Sequence, residues 1–599
     1  MSEIKNGANG KQNHTHVKLG EGFATAICGN DILSSALYVS GIAVMFSGVF
    51  APLVLAVVAG VLFLYKAVYT EVVEALPVNG GAYNCLLNGT SKTVAAVAGV
   101  MTILSYIATA VISAKVGVEY LNTVLNFHEF TLTLPLLGHV EFNAIILQTI
   151  ALLFGFAMLV ISGLKDSAKV AFGIFVFHII TLISFLWLGL MYYLEGNSEF
   201  AFNLAHTWDI VKAQGGVWNT FYLAFSACLL GVSGFESSAN FVEEQKPGVF
   251  RKTLRNMLIG VAIFNPLIAL VVLNSMPYEA ITGAKDFLLA DAAKIIGGSW
   301  YQYVIVADAF LVLSGAVLTA FVGVSGLVHR MSLDSCLPAF LAKVNDKGSF
   351  PRIIIAFFVL CSSILIITGG NLLSLAGVYT ISFLGVMSLF AIGNIILKET
   401  RTELKRTYNA PLLMVFPAAV ATIFGIIGNI RIDPNNLKFF ELYFIPSLVL
   451  VLVIVYQDYI LKALMRMFRN VPAVYNYINR NFSDLIHGKF VVFIHDPSRL
   501  HNILDYINRN ETGWDIILVH CGDRQTFQEI KEMLPVLKKA GVFSHFTITP
   551  VFKKQEFGPK IIDKVAEEFD VRHNRILIGS IHHHHPFGYD ELGGVRIVV

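Results

Sequence analysis

The chain has 599 residues, of which 55% are hydrophobic and only 14% charged, with a mean hydropathy of +0.66. About a quarter of a soluble domain's residues are charged, so this composition excludes a soluble protein of this size and reads as a membrane protein. A net charge of +2 gives no reason to expect a nucleic-acid partner. The six cysteines, Cys28, Cys85, Cys228, Cys336, Cys361 and Cys521, are scattered singly, which reads as reduced thiols with neither disulfide nor metal spacing.

In chain order, residues 1–20 are polar, lack the pattern of a signal peptide and read as a flexible cytoplasmic tail. Twelve apolar segments follow, each close to the twenty or so residues that cross a hydrocarbon core. They lie near 22–46, 50–72, 94–124, 143–163, 168–194, 218–241, 256–276, 301–328, 352–368, 372–397, 411–430 and 439–462. Lys and Arg gather in GLKDSAK, EEQKPGVFRKTLRN, the stretch from HRMSLD to SFPR, LKETRTELKRTYN and KALMRMFRN. That bias places these connections, and both termini, on the cytoplasmic side of a plasma membrane. From about residue 470 short β-rich runs, GKFVVFIHD, DIILVHCGD, FSHFTITPVF and NRILIGSI, alternate with helical stretches, the pattern of a small parallel α/β domain. The expected organisation is a tail (1–20), an all-α transmembrane domain of about twelve helices (21–465) and a cytoplasmic α/β domain (470–599).

Two apolar segments carry an acid beside a glycine interruption. GNDILSSALY places Asp31 inside the first and GVSGFESS places Glu236 inside the sixth. A carboxylate at that depth costs about 2.5–3.5 kcal/mol on insertion scales, so each should face protein, water or a bound solute. The bland alternative is that each only caps a helix segment. Glycine-interrupted segments in corresponding halves of a polytopic chain mark broken helices that meet at the midplane.

These two segments, together with EVVEALPVNGGAY after the second and GFESSANFVEEQKPGVFRKT in and after the sixth, resemble the amino acid, polyamine and organocation (APC) transporter superfamily over most of residues 20–465. The resemblance implies a LeuT-like fold of two inverted five-helix repeats with broken first and sixth helices, and secondary transport by alternating access. In the first segment GND stands where amino-acid permeases of that superfamily have Gly-x-Gly. Asp31 there would repel a substrate carboxylate, so a cation is the easier guest. GNDILSSALY is similar to the first-span motif of Kup-type and KimA-type potassium importers, an Asp with a Tyr seven residues on, here Asp31 and Tyr38. The likeness to the KimA type extends to Tyr106 and Thr109 in the third segment, Ser233 and Glu236 in the sixth and Tyr379 in the tenth. It implies that these seven residues line the substrate site, with hydroxyl and carboxylate oxygens replacing a cation's hydration. Two features depart from that pattern: Ser105 stands where the KimA type has an Asp, and Glu71, Pro77, Gly80 and Gly81 look more like amino-acid permeases.

A carboxylate in such a cavity can take either a proton or a cation, which links the two occupancies. Glu236 is the first choice for a proton-coupling acid and Asp31 the second. Lys115 reads as snorkelling to the interface, with an inward-pointing ammonium as the alternative, and Asp308 as a structural or gating ion pair. In the C-terminal domain the element order is only loosely similar to universal-stress-protein nucleotide-binding domains, and Gly579 and Ser580 do not make a complete phosphate loop. The run His582 to His585 does not present four imidazoles on one face, so no metal is expected. By analogy with KimA-type proteins this domain would serve regulation or dimerisation, through a regulatory ligand or a second copy of the chain.

The functional expectation is therefore a secondary-active, proton-coupled importer of a small solute, with potassium first, an amino acid second, and a sensor that binds without transporting third. No cofactor or resident metal is expected beyond the coupling ion. No Ser-His-Asp, paired-metal or phosphate-loop pattern marks an enzyme.

Overall fold

The computed structural model describes residues 18–125, 131–134, 140–163, 168–478, 489–511, 515–542, 547–579 and 592–598. Residues 1–17 of the polar tail, Ser580 and the run His582 to His585 lie outside the described residues. Among the described residues ten helical runs are long and apolar enough to cross a membrane. One of them, Glu21–Ala75, spans 55 residues and is bent by a 3-10 turn at Gly48–Phe50, so it accounts for the first two expected segments. The ninth segment is the shorter apolar helix Pro351–Ile367. With these, each of the twelve expected segments finds a helix.

The first run comprises α1 (Glu21–Ser34), α2 (Ala36–Ser47) and α3 (Ala51–Ala75), followed by α4 (Gly81–Gly89) and the 34-residue α5 (Lys92–Leu125). A two-stranded antiparallel ribbon, β1 (Thr131–Leu134) with β2 (Val140–Asn143), follows in a connection where the sequence showed no structure. Then come α6 (Ala144–Ile161), α7 (Ala168–Leu194), α8 (Phe200–Ala213) and α9 (Val217–Cys228). The rest of the bundle is α10 (Val249–Ser275), α11 (Tyr278–Gly283), α12 (Leu288–Gly297), α13 (Ser299–Leu333), α14 (Pro351–Ile367), α15 (Leu372–Thr400), α16 (Leu412–Ile432) and α17 (Pro434–Val455), with α18 (Gln457–Met467) as its exit.

The long helices α5, α13 and α15 are largely buried, whereas α7 and α17 present wide apolar faces outward, among them Trp187, Ile180, Val449 and Val453. Helices that are apolar all round belong in the centre of a membrane bundle, and exposed apolar faces belong against lipid. The residues leading into α1 are held in place: Leu19 donates to the Glu244 carbonyl at 2.7 Å and accepts from Lys246 N–H at 3.0 Å. The end of the tail is thus docked on the connection after the sixth segment.

Beyond residue 488 a five-stranded parallel sheet forms, β3 (Lys489–Ile494), β4 (Asp515–Cys521), β5 (Ile548–Lys553), β6 (Ile576–Gly579) and β7 (Arg596–Val598), in the order β5-β4-β3-β6-β7. Strands β3 and β4 are buried except at their first residues. Runs buried on both faces are what a parallel sheet covered by crossover helices requires.

Candidate functional site

The sixth segment is interrupted. After α9 the chain tightens into a 3-10 turn (Leu229–Val232), extends at Ser233, turns through Gly234 with φ +89° and resumes as a second 3-10 turn (Glu236–Asn240). A positive φ of that size is open to glycine at no steric cost. Space imposes the same choice: a Cβ at Gly234 would lie 2.9 Å from Asp31 Cγ and 3.0 Å from the Ile32 amide nitrogen. The interruption therefore rests directly on α1 at Asp31.

The first segment behaves differently from the expectation. GND is regular helix, and the irregularity lies four residues later, at Ser35, where α1 passes into α2 through a tightened turn. The Ser35 hydroxyl is the physical reason: it lies 2.7 Å from the Ile32 carbonyl and 3.1 Å from the Gly231 carbonyl of the other interrupted segment. A serine that bonds back to the preceding turn competes with the helix ladder. Asp31 is thus presented by an intact helix.

All seven residues singled out from sequence are buried and gather around this crossing. Asp31 accepts a hydrogen bond from Ser237 at 2.7 Å. Glu236 accepts from Ser105 at 2.9 Å and from the Gly234 N–H at 3.0 Å. Tyr38 lies beside Ser233. The Thr109 and Tyr379 hydroxyls lie 2.7 Å apart, and Asn240 donates to the Tyr106 hydroxyl at 2.6 Å. Among the described residues no lysine, arginine or histidine pairs with Asp31 or Glu236, so the centre holds two carboxylates and a wall of hydroxyls.

Three participants escaped the sequence reading. Ser237 and Asn240 do not stand out in the sequence, because a serine or asparagine in an apolar run costs little. Their spacing after Glu236 on one short turn is the signal that would have found them. Ser105, noted only as a missing carboxylate, supplies a donor to Glu236 instead.

Around this centre the two ends of the bundle differ. A cavity of about 350 Å³, lined by Ile42, Phe46, Leu373, Gly377, Asn429 and Asn436, opens near the end of α2 and the start of α15. Its lining residues Ile42 and Ala376 sit one helical turn from Tyr38 and Tyr379. At the opposite end polar links close the bundle. Glu71 holds Lys398 at 3.1 Å, Arg406 at 3.2 Å and the Ala410 N–H at 2.9 Å. Asn79 accepts from the Glu243 N–H, and Glu243 accepts from the Asn79 N–H. Glu21 holds Lys252 and Arg255.

Lys115 does not snorkel. Its side chain is buried and paired with Glu119 at 3.1 Å and with Asp286, so its charge is already met by two carboxylates. Asp308 does form a pair, and its partner is His178 at 2.7 Å.

The family model described as Amino acid permease matches residues 22–455, which takes in every helix from α1 to α17. The chain belongs to the amino acid permease family. It is a permease, not an enzyme, and a multi-pass membrane protein whose family moves small solutes. Two relatives from Bacillus subtilis (strain 168) are named for different cargoes. The branched-chain amino acid permease BcaP is 24% identical over 375 residues, 60% of this chain and 76% of BcaP. The potassium transporter KimA is 23% identical over 381 residues, 61% of this chain, and the match spans 58% of KimA's length. Among solved structures, a mutant of the Eremococcus coleocola manganese transporter superposes with a TM-score of 0.47 at 10% identity, covering 76% of this permease and 96% of that chain. The permease match ends at residue 455, before the α/β region.

Proposed function

We propose that this permease is a proton-coupled importer of a small monovalent cation, with potassium as the cargo, working by alternating access between the two ends of the bundle. The observation that carries the reading is the centre itself: the Asp31 and Glu236 carboxylates, both buried, meet at the interrupted sixth segment with hydroxyl and amide partners and, among the described residues, no basic side chain. Two buried carboxylates without a cation repel one another and pay heavily for desolvation. A hard cation or a proton relieves both costs. Tyr38, Tyr106, Thr109, Ser233 and Tyr379 supply the remaining oxygen atoms, and the potassium transporter KimA among the relatives supports this choice.

A second reading has its own support. The relative BcaP is a branched-chain amino acid permease, and on this reading a zwitterion's carboxylate takes the Gly234 N–H at the interruption from Glu236, while Asp31 or Glu236 meets its ammonium. On either reading Glu236 is the acid that exchanges proton for cargo, with Asp31 second. Residues 21–465 form the transport unit, and both termini face the cytoplasm of a plasma-membrane protein. The third reading, a sensor that binds without flux, loses if any solute moves.

The deciding experiment reconstitutes the full chain in vesicles and follows rubidium-86, as a potassium analogue, and radiolabelled leucine. Rubidium uptake that competes with potassium is the expected result. Leucine accumulation without rubidium uptake transfers the assignment to the amino-acid reading.

A further inference from the structure

His178 of α7 and Asp308 of α13 form a second acid-base pair that the central site does not use. Both side chains are wholly buried, and His178 Nδ1 lies 2.7 Å from Asp308 Oδ2. Each retains a polar atom, His178 Nε2 and Asp308 Oδ1, that has no hydrogen-bond partner among the described residues. A purely structural buried pair is expected to use all its hydrogen-bonding atoms, because each orphan costs about 1–3 kcal/mol. With one unmet atom on each partner, the pair has room in its hydrogen bonding for a transient occupant.

The pair's chemistry suits a proton as that occupant. A carboxylate only accepts, so Nδ1 donates to Oδ2 and the second imidazole nitrogen is free to gain or lose a proton. With Nε2 bare the pair carries one negative charge, and with Nε2 protonated it is neutral. Once water reaches Nε2 the proton can leave.

The pair also sits where it can respond to the central site. Helix α1, which carries Asp31, packs against both α7 and α13. Its contact with α7 is close: Asn30 donates to the Ala171 carbonyl at 2.9 Å, and a Cβ on Gly29 would meet the Phe175 ring at 2.5 Å. His178 lies about one turn beyond Phe175 on that helix. Besides His178, the Asp308 carboxylate bears on the hydroxyls of Tyr120 from α5 and Tyr301 from α13. Helix α12 brings Asp291 and Lys294, α5 brings Lys115 and Glu119 already paired, and α1 brings Cys28 and Asp31. The cations of α10 are engaged elsewhere, Lys252 and Arg255 with Glu21 and Arg251 over the Tyr408 ring, and Arg352 of α14 donates to the Phe340 carbonyl. Helix α6 carries no charged side chain. No arginine or lysine among the described residues neutralises Asp308 in place of a proton.

We propose that His178 and Asp308 form a proton-binding site, separate from the Asp31 and Glu236 centre, whose loading and unloading couples a proton gradient to transport. This rests on the transport reading above.

The test uses the full chain in vesicles, with rubidium-86 and leucine as probes, and compares accumulation driven by a pH gradient with equilibrium exchange in its absence. His178→Gln keeps a side chain that can bond Asp308 but cannot gain the proton. The double variant His178→Gln, Asp308→Asn replaces the pair by two neutral amides and removes any uncompensated charge. In both, the ratio of gradient-driven accumulation to exchange is expected to fall at least tenfold. An unchanged ratio overturns the proposal, as does failure of both variants to fold, which would give the pair a structural role. If the wild type exchanges a probe but ignores the pH gradient, the proton site is wrong and transport stands. If the wild type exchanges neither probe, the transport reading falls and takes this site with it.

Discussion

At the residue scale the two central acids separate stability from function. Asp31→Asn retains an acceptor for Ser237, and Glu236→Gln one for Ser105, while each removes a buried negative charge that has no cationic partner. Relieving such a charge stabilises a fold more often than it weakens it. Each variant is therefore expected to melt no lower than wild type, yet to lose at least tenfold in rubidium uptake and to lose the thermal shift that potassium gives the wild type. Parallel loss of melting temperature and uptake would instead make these acids structural. Gly234→Ala has the opposite signature. It forces a side chain into a positive φ, at roughly 1–3 kcal/mol, and drives a Cβ into Asp31 Cγ and the Ile32 backbone. A lower melting temperature together with lost uptake is the expected outcome, read by thermal denaturation and vesicle uptake. What was legible at this scale followed from cost: Asp31, Glu236 and Asp308 stood out because a charge in an apolar run demands an explanation. Ser237, Asn240 and His178 did not, since neutral polar side chains are cheap in a helix and only their distant partners give them meaning.

At the scale of elements, hydropathy placed all twelve segments because the bilayer sets helix length almost independently of tertiary context. Where the first helix breaks was not legible. Gly29, Asn30 and Asp31 are poor helix formers, yet packing holds them helical, with Asn30 bonded to α7 and Gly29 admitting the Phe175 ring. The irregularity moves to Ser35, whose hydroxyl finds a carbonyl 196 residues away in sequence. Ser35→Ala should therefore regularise the α1–α2 passage and leave the Gly231 carbonyl with Asn265 as its side-chain donor. Losing one buried hydrogen bond of this kind costs about 0.5–1.5 kcal/mol, and the variant is expected to slow transport more than it lowers stability. Glu71 illustrates closure of the bundle by one side chain. It joins α3 to α15 and to the connection before α16 through two cations and a backbone N–H. Glu71→Gln strips a buried carboxylate from Lys398 and Arg406 and should cost about 3–5 kcal/mol, visible as a large drop in melting temperature.

At the scale of the whole molecule, the α/β region is tied to the bundle by an ion cluster with two buried cations, Arg596 and Lys92. Arg596 on β7, 1% exposed, lies 3.3 Å from Asp334 at the end of α13, pairs with Glu511 and stands over the Phe490 ring. Glu511 in turn pairs with Lys92 at the start of α5 at 2.6 Å, and Asp334 accepts from Tyr83 of α4 at 3.0 Å. No sequence pattern foretold this, because the partners lie far apart in the chain and each alone looks like an ordinary surface charge. Burial by itself would push the Glu511 carboxyl up, but Arg596 and Lys92 outweigh it and hold it below the usual value of 4.5. A carboxyl depressed in the docked state contributes attachment that is fully present above its free value and is lost as pH falls through the lower docked one. Attachment of the α/β region should thus be constant above about pH 5 and weaken progressively below about pH 4.5. Amide exchange along β7 and at the start of α5 is the measurement, and it should accelerate in that acid window. Arg596→Met removes the cation that links Asp334 to Glu511, so the same amides should exchange faster already at neutral pH, with a much smaller acid response. If instead wild type and Arg596→Met show the same protection at pH 7, the link between the two regions lies elsewhere than in this ion cluster.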